Sequence, residues 1–238
     1  MNKNKYKILI WIALWPLLAI WITTPISSFI TRMLIIINIL SIIVSTIIMF
    51  WKRKYITIPL IFLFTLFLLF LLLPGHTANA DILRDKYIKS LLNYEGTKYI
   101  WGGESKYGID CSGLIRCGMI NTNMKEGIKE LNSRLIREAL FLWWNDCSAK
   151  ELGNGYRNKT IQIATAKSIN EIDYRLLLPG DFVVTESGVH TLAYIGNQTW
   201  IEANPDKMKV IVETNPNYDN NWFNIPVKVM RWKQFDKR

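Results

Sequence analysis

The stretch GIDCSGLIRCG, residues 108–118, sets a cysteine behind an acidic residue and ahead of Ser-Gly and a run of helix-compatible residues. Asp110 suits an N-cap, so Cys111, Ser112 and Gly113 form the first turn of a helix that LIRCGMI continues. A thiol in that turn faces unpaired backbone N–H groups and the positive end of the helix dipole, both of which favour its thiolate. Asp110 acts in the opposite sense, because a neighbouring carboxylate disfavours a second negative charge. Ionising Cys111 therefore calls for a cationic partner, and histidine is the natural one.

The chain has 2 histidines. His76 abuts an apolar run and is poorly placed. His190 lies in PGDFVVTESGVHTLAYIGNQTWIEANP, residues 179–205, where 181–185, 189–195 and 199–203 read as three short strands with turns at ESG and GNQ. A nucleophile and its base need a third group to orient the imidazole. With a three-residue loop at 196–198, position 190 lies opposite 204, so Glu202 and Asn204 both share the face of His190. Either can accept a bond from the ring N–H, and local geometry leaves the choice between them open.

Working back towards the amino terminus, residues 81–96 (DILRDKYIKSLLNYEG) place Ile82, Leu83, Tyr87, Ile88, Leu91 and Leu92 at helical spacing, with Gly96 as the stop. The aromatic and β-branched segment TKYIWGG follows at 97–103. Before residue 81 the chain changes character. Residues 1–80 hold seven basic side chains and no Asp or Glu, so they carry +7 of the formal net charge of +10. The other 158 residues hold 22 basic and 19 acidic side chains, an ordinary balance that does not mark a nucleic-acid binder.

Three apolar runs fill the first 80 residues, with spans expected near 8–30, 33–51 and 56–73. Each is close to the roughly 20 residues that cross a bilayer. Three lysines precede the first run and KRK at 52–54 separates the second from the third, so the positive-inside rule puts the amino terminus and the KRK loop in the cytoplasm. Residues 81–238 then form an extracytoplasmic domain, periplasmic or at the cell surface, on a multi-pass anchor at residues 1–80. Ala78 and Ala80 in TANAD also match a signal-peptidase pattern, which would release the domain at Asp81.

The blocks YEGTKYIWGG, GIDCSGLI, LLPGDFVV and GVHTLAYIGNQTWIEA, in that order over residues 84–204, resemble the NlpC-type cell-wall cysteine peptidases. The resemblance implies a papain-like α+β fold, with the nucleophile at a helix N-terminus packed on an antiparallel sheet. It implies that Cys111 is the nucleophile, His190 the base and Glu202 the orienter, with Asn204 as the alternative third member. Tyr99, twelve residues before the cysteine, and the helix start at Asp110 and Ser112 correspond to the substrate and oxyanion region. The implied substrate is the peptidoglycan stem peptide of bacteria, cut between D-glutamate and a diamino acid through a thioester, with no metal and no cofactor. Two features depart from the family pattern. Histidine is more usual than glutamate at the third position, and the segment 121–178 is long.

Other residues read as structural. Cys117 and Cys147 are candidates for a disulfide in an oxidising compartment, which would leave Cys111 free. Trp143 and Trp144 read as packing, and the NKT and NQT triplets as chance matches to a glycosylation pattern. The chain has no glycine-rich phosphate loop, metal-ligand cluster or internal repeat. A non-catalytic wall-binding module and an acyltransferase or amidase on the same scaffold are the alternative readings, and the sequence names no protein partner.

Overall fold

A computed structural model describes residues 3–236. Three apolar helices come first, α1 (Lys3–Thr23), α2 (Phe29–Met49) and α3 (Lys54–Leu72), each long and apolar enough to cross a membrane. The first expected span, 8–30, is shortened at its end. The helix stops at Thr23 because Pro25 disfavours helical backbone in the residue before it. Ser28, whose side chain accepts the Thr31 N–H, then caps α2 four residues earlier than expected.

The rest of the chain is a mixed α+β domain. Helices α4 (Ala80–Leu92), α5 (Cys111–Lys129) and α6 (Ser133–Trp144) pack on one another, and α7 (Ala149–Gly153) packs against the sheet. Helices α5 and α6 are separated at 130–132, where Leu131 has positive φ and Asn132 caps α6. A two-stranded ribbon, β1 (Glu104–Ser105) with β2 (Gly108–Ile109), precedes α5.

The main sheet has six strands: β3 (Thr160–Ala166), β4 (Phe182–Thr185), β5 (Thr191–Gly196), β6 (Thr199–Asn204), β7 (Lys209–Thr214) and β8 (Val227–Trp232). Their order is β3-β8-β4-β5-β6-β7, with every neighbouring pair antiparallel. Alternation divides the strands between two cores. Phe182, Val184, Ala193, Ile201, Ala203 and Met230 face the helices, while Val183, Leu192, Trp200 and Val229 face short turns that include Phe223.

The β5–β6 hairpin closes differently from the expected three-residue loop. Asn197 and Gln198, both at positive φ, make a two-residue turn, and a bulge between Tyr194 and Gly196 takes up the extra residue. The pairs Ala193↔Ile201 and Tyr194↔Trp200 therefore keep the register that sets position 190 against 204.

At the centre of the sheet, Asp181 is fully buried and accepts both Nε and Nη2 of Arg231 at 2.7 Å, joining the start of β4 to β8. The same carboxylate accepts the Leu178 N–H at 2.8 Å. Asp181→Asn removes the charge from a buried bidentate pair, and we expect it to cost about 3 kcal/mol. Chemical denaturation of the detergent-solubilised protein measures this, and an unchanged midpoint would refute it.

Candidate active site

The N-terminus of α5 is built around Asp110. Its Oδ1 accepts the Gly113 N–H at 2.6 Å and the Ser112 hydroxyl at 3.0 Å, while Oδ2 accepts the Gly102 N–H at 2.8 Å. The expected N-cap is present, and the Gly102 bond ties it to the preceding loop. Gly113 is required by that closeness, since a Cβ there would collide with the Gly103 carbonyl oxygen. Burial raises the pKa of Asp110 above the usual carboxylate range, against the pull of these hydrogen bonds.

This cap sets the first residue of α5, Cys111, with its sulfur against the start of β5. Cys111 Sγ lies 3.9 Å from the Val189 carbonyl oxygen, and its other polar neighbours include the amides of Ser112 and Thr191. The sulfur therefore rests on backbone to either side of His190. Burial, followed by the charge of Asp110, pushes the thiol up to about 12, and the amides only partly offset this. The helix-dipole effect expected from the sequence is outweighed, and the buried thiol is held protonated.

Thr185 fixes the backbone of His190, its hydroxyl accepting the His190 N–H at 3.1 Å. The imidazole is 1% exposed as a residue, and its Nε2 is hydrogen-bonded to Glu202 Oε2, also buried. Nδ1 is thus the nitrogen left to face a reacting group. Asn204 does not reach the ring in this arrangement. Its Nδ2 donates to Glu202 Oε1 at 2.9 Å, which places the alternative orienter one step behind the first.

Two neighbours were not read from the sequence. Asn220 Nδ2 donates to Glu202 Oε1 at 2.6 Å and also bonds Glu213, while Asn220 Oδ1 accepts the Trp222 N–H at 3.0 Å. That turn lays Trp222 on the imidazole, with ring centroids 4.2 Å apart and 29° between planes. The only hint in the sequence was a tryptophan inside the Asn-rich YDNNW, and no spacing connects it to His190.

Cys111, His190, Tyr99, Asp110, Ser112 and Trp222 line one cleft of about 810 Å³. Tyr99 has its hydroxyl pKa raised, first by burial and then by the neighbouring Cys111 and Asp110. Glu104 and the exposed Asp146 line the cleft wall and pair with the buried Arg116 of α5, which also donates to the Leu142 and Asn145 carbonyls at the end of α6. The disulfide considered for Cys117 and Cys147 is not formed. Cys117 Sγ instead donates to the Glu104 carbonyl at 3.3 Å, and all three cysteines are free and buried. His76 lies apart, half exposed beside Glu130.

The NlpC/P60 family profile matches residues 96–228, more than half of the chain, and the chain belongs to that family. A 44-residue stretch, 18% of this chain, is 46% identical to Dipeptidyl-peptidase 6 of Lysinibacillus sphaericus and covers 16% of that protein. Among solved structures, NlpC1 from Trichomonas vaginalis aligns at TM-score 0.41 and 20% identity, over 66% of this chain and 46% of its own. The peptidoglycan hydrolase RipB from Mycobacterium tuberculosis aligns at 0.40 and 18%, over 64% of this chain and 67% of its own. The chain thus spans well under two thirds of the first two of these proteins.

Burial also raises Cys117, to about 11. An unfolded thiol titrates near ~8.5. Above that pH the folded state holds protons that the unfolded state has released, so stability is fully present below about pH 8.5 and falls as pH rises toward the folded values. We expect the thermal midpoint of the reduced, solubilised protein to fall between pH 8.5 and 10.5, and less steeply in Cys111→Ala. A second expectation concerns packing: Gly113→Ala should destabilise the protein by about 1–3 kcal/mol through overpacking against Gly103, and a wild-type denaturation midpoint would refute it.

Proposed function

We propose that the protein is a membrane-anchored cysteine endopeptidase that hydrolyses peptidoglycan stem peptides, cutting between D-glutamate and the diamino acid. The observation that carries this reading is the packing of the Cys111 sulfur against the backbone on either side of His190, whose Nε2 is engaged by the buried Glu202. A pure binding site has no use for a thiol and an oriented imidazole lining one cleft. The peptidase name of the Lysinibacillus sphaericus relative supports the same class of bond.

In the proposed mechanism the resting thiol is neutral, as its burial favours. His190 accepts the thiol proton as the sulfur attacks the substrate carbonyl, and Glu202 stabilises the imidazolium through Nε2. The developing oxyanion is held by backbone N–H groups at the start of α5, with the Tyr99 hydroxyl beside them. His190 then passes the proton to the leaving amine, and the C–N bond breaks to give a thioester. A water attacks the thioester, giving its proton to His190, and the thiol is restored. Asp110 and Ser112 serve by capping α5, and Asn204 and Asn220 by holding Glu202.

The three apolar helices are membrane spans in this reading, with KRK at 52–54 on the cytoplasmic side and residues 81–238 outside. Retention at the membrane is favoured over release after Ala80. Asn79 caps α4, Ala80 is its first residue, and Ala78 packs on the core, so the segment is not an open, extended protease site.

The full chain, incubated with purified peptidoglycan and followed by mass analysis of the fragments, should yield newly cut stem peptides. Cys111→Ala should abolish them. Glu202→Gln should lower kcat by at least about 10²-fold, within the range of a general acid–base contribution, and Asn204→Ala by less. Transferred groups instead of cut peptides would make the protein an acyltransferase, binding without products a wall-binding module, and the reverse ranking would make Asn204 the orienter.

A further inference from the structure

We infer that Arg32, in the first turn of a membrane helix, is a positioning residue for the nucleophile helix α5, so that the α1–α2 hairpin is a working part of the catalytic cleft. The inference rests on the cysteine-hydrolase reading of that cleft. The segment joining α1 to α2 is bonded to the cleft wall by backbone. Ser27 N–H donates to the Gly102 carbonyl, Glu104 N–H donates to the Pro25 carbonyl, both at 3.0 Å, and Ile26 bridges Gly103. Gly102 is also the residue whose N–H bonds the Asp110 cap.

Side chains repeat the connection. Arg32 is fully buried, and its Nη2 meets Glu104 Oε2 at 2.6 Å while its Nε donates to Ser27 Oγ at 3.1 Å. The other oxygen of Glu104 pairs with Arg116, five residues along α5 from Cys111. Asp146 completes the set, 3.0 Å from Arg116 and 3.7 Å from Arg32, so two cations face two carboxylates. One guanidinium thus holds both the hairpin loop and the carboxylate that braces α5.

An arginine in a membrane helix is costly unless it is paired, and such residues mark function. Anchoring alone would not need it. A second clamp already fastens the domain to α3, where Arg137 donates to the Leu71 and Pro74 carbonyls and Ser133 to that of Leu73. That clamp touches α6 and none of the cleft residues. The two clamps therefore separate tethering from positioning.

The test uses the full chain in lipid nanodiscs, with a stem tetrapeptide as substrate and iodoacetamide as a thiol probe, the labelled site being located by peptide mass mapping. A misplacement of about 1 Å costs on the order of 10²-fold in rate. Arg32→Met is expected to lower kcat by about thirtyfold or more with KM within about twofold, and to shift the Cys111 labelling rate by more than about twofold. Arg32→Lys, which keeps the charge but not the fork, should leave kcat about three- to tenfold below wild type. Arg137→Gln should leave kcat and labelling within about twofold of wild type.

Unchanged kcat and labelling in Arg32→Met, or equal losses in Arg137→Gln, would overturn the inference. If Arg32→Met fails to fold, Arg32→Lys decides, because a wild-type kcat there would also overturn it. If the wild-type chain cuts no stem peptide, the proposed function fails, and the labelling rates still decide whether Arg32 positions the thiol.

Discussion

The site depends on a single partly buried carboxylate. Asp110 gathers the N–H of Gly102, the N–H of Gly113 and the hydroxyl of Ser112, and so joins the loop before α5 to the helix itself. Because the next residue is Cys111, the cap also sets where the sulfur lies. The same charge disfavours a thiolate beside it, and burial adds to that effect. Geometry is thus obtained at the expense of acidity, which explains why the proposed chemistry needs a base that takes the proton during attack.

The proposed base, His190, is held with similar closeness. Glu202 engages one nitrogen of His190 and is itself held by Asn204 and Asn220, while Trp222 covers the ring. All the polar members of this set are buried, so each hydrogen bond is made in a low-dielectric interior where an unpaired group would be expensive. Behind α5 lies a second charged set, the buried Arg32, Glu104 and Arg116 with the exposed Asp146 at its edge. Ion clusters of this kind often add little to stability compared with apolar packing. In the inferred arrangement their value lies in direction, since one side of the cluster is a long apolar helix and the other the wall of the cleft.

Much of the fold could be read locally. Apolar runs gave the three long helices, the Asp-Cys-Ser-Gly stretch gave a capped helix start, and alternation gave β4, β5 and β6. The register of His190 against Asn204 followed from parity, although a two-residue turn plus a bulge replaced the expected loop. Strands β3, β7 and β8 were not read. Nor were Arg116, Asn220 and Trp222, because each acts on partners far away in the chain and nothing in its neighbours' periodicity marks it.

The sequence by itself determined the class of the fold, the placement of Cys111 in a helix's first turn, and the short list of groups that could serve it. The last two follow from spacing and capping within a few residues, and the first from the resemblance of the sequence blocks to a known family. Only the tertiary structure decided which of Glu202 and Asn204 meets the imidazole, that burial raises the thiol pKa, and that the α1–α2 loop is bonded to residues of the cleft wall. Those outcomes depend on side-chain reach across the β5–β6 pair, on the dielectric around a buried sulfur, and on contacts between residues more than seventy positions apart. None of these quantities is carried by a local pattern.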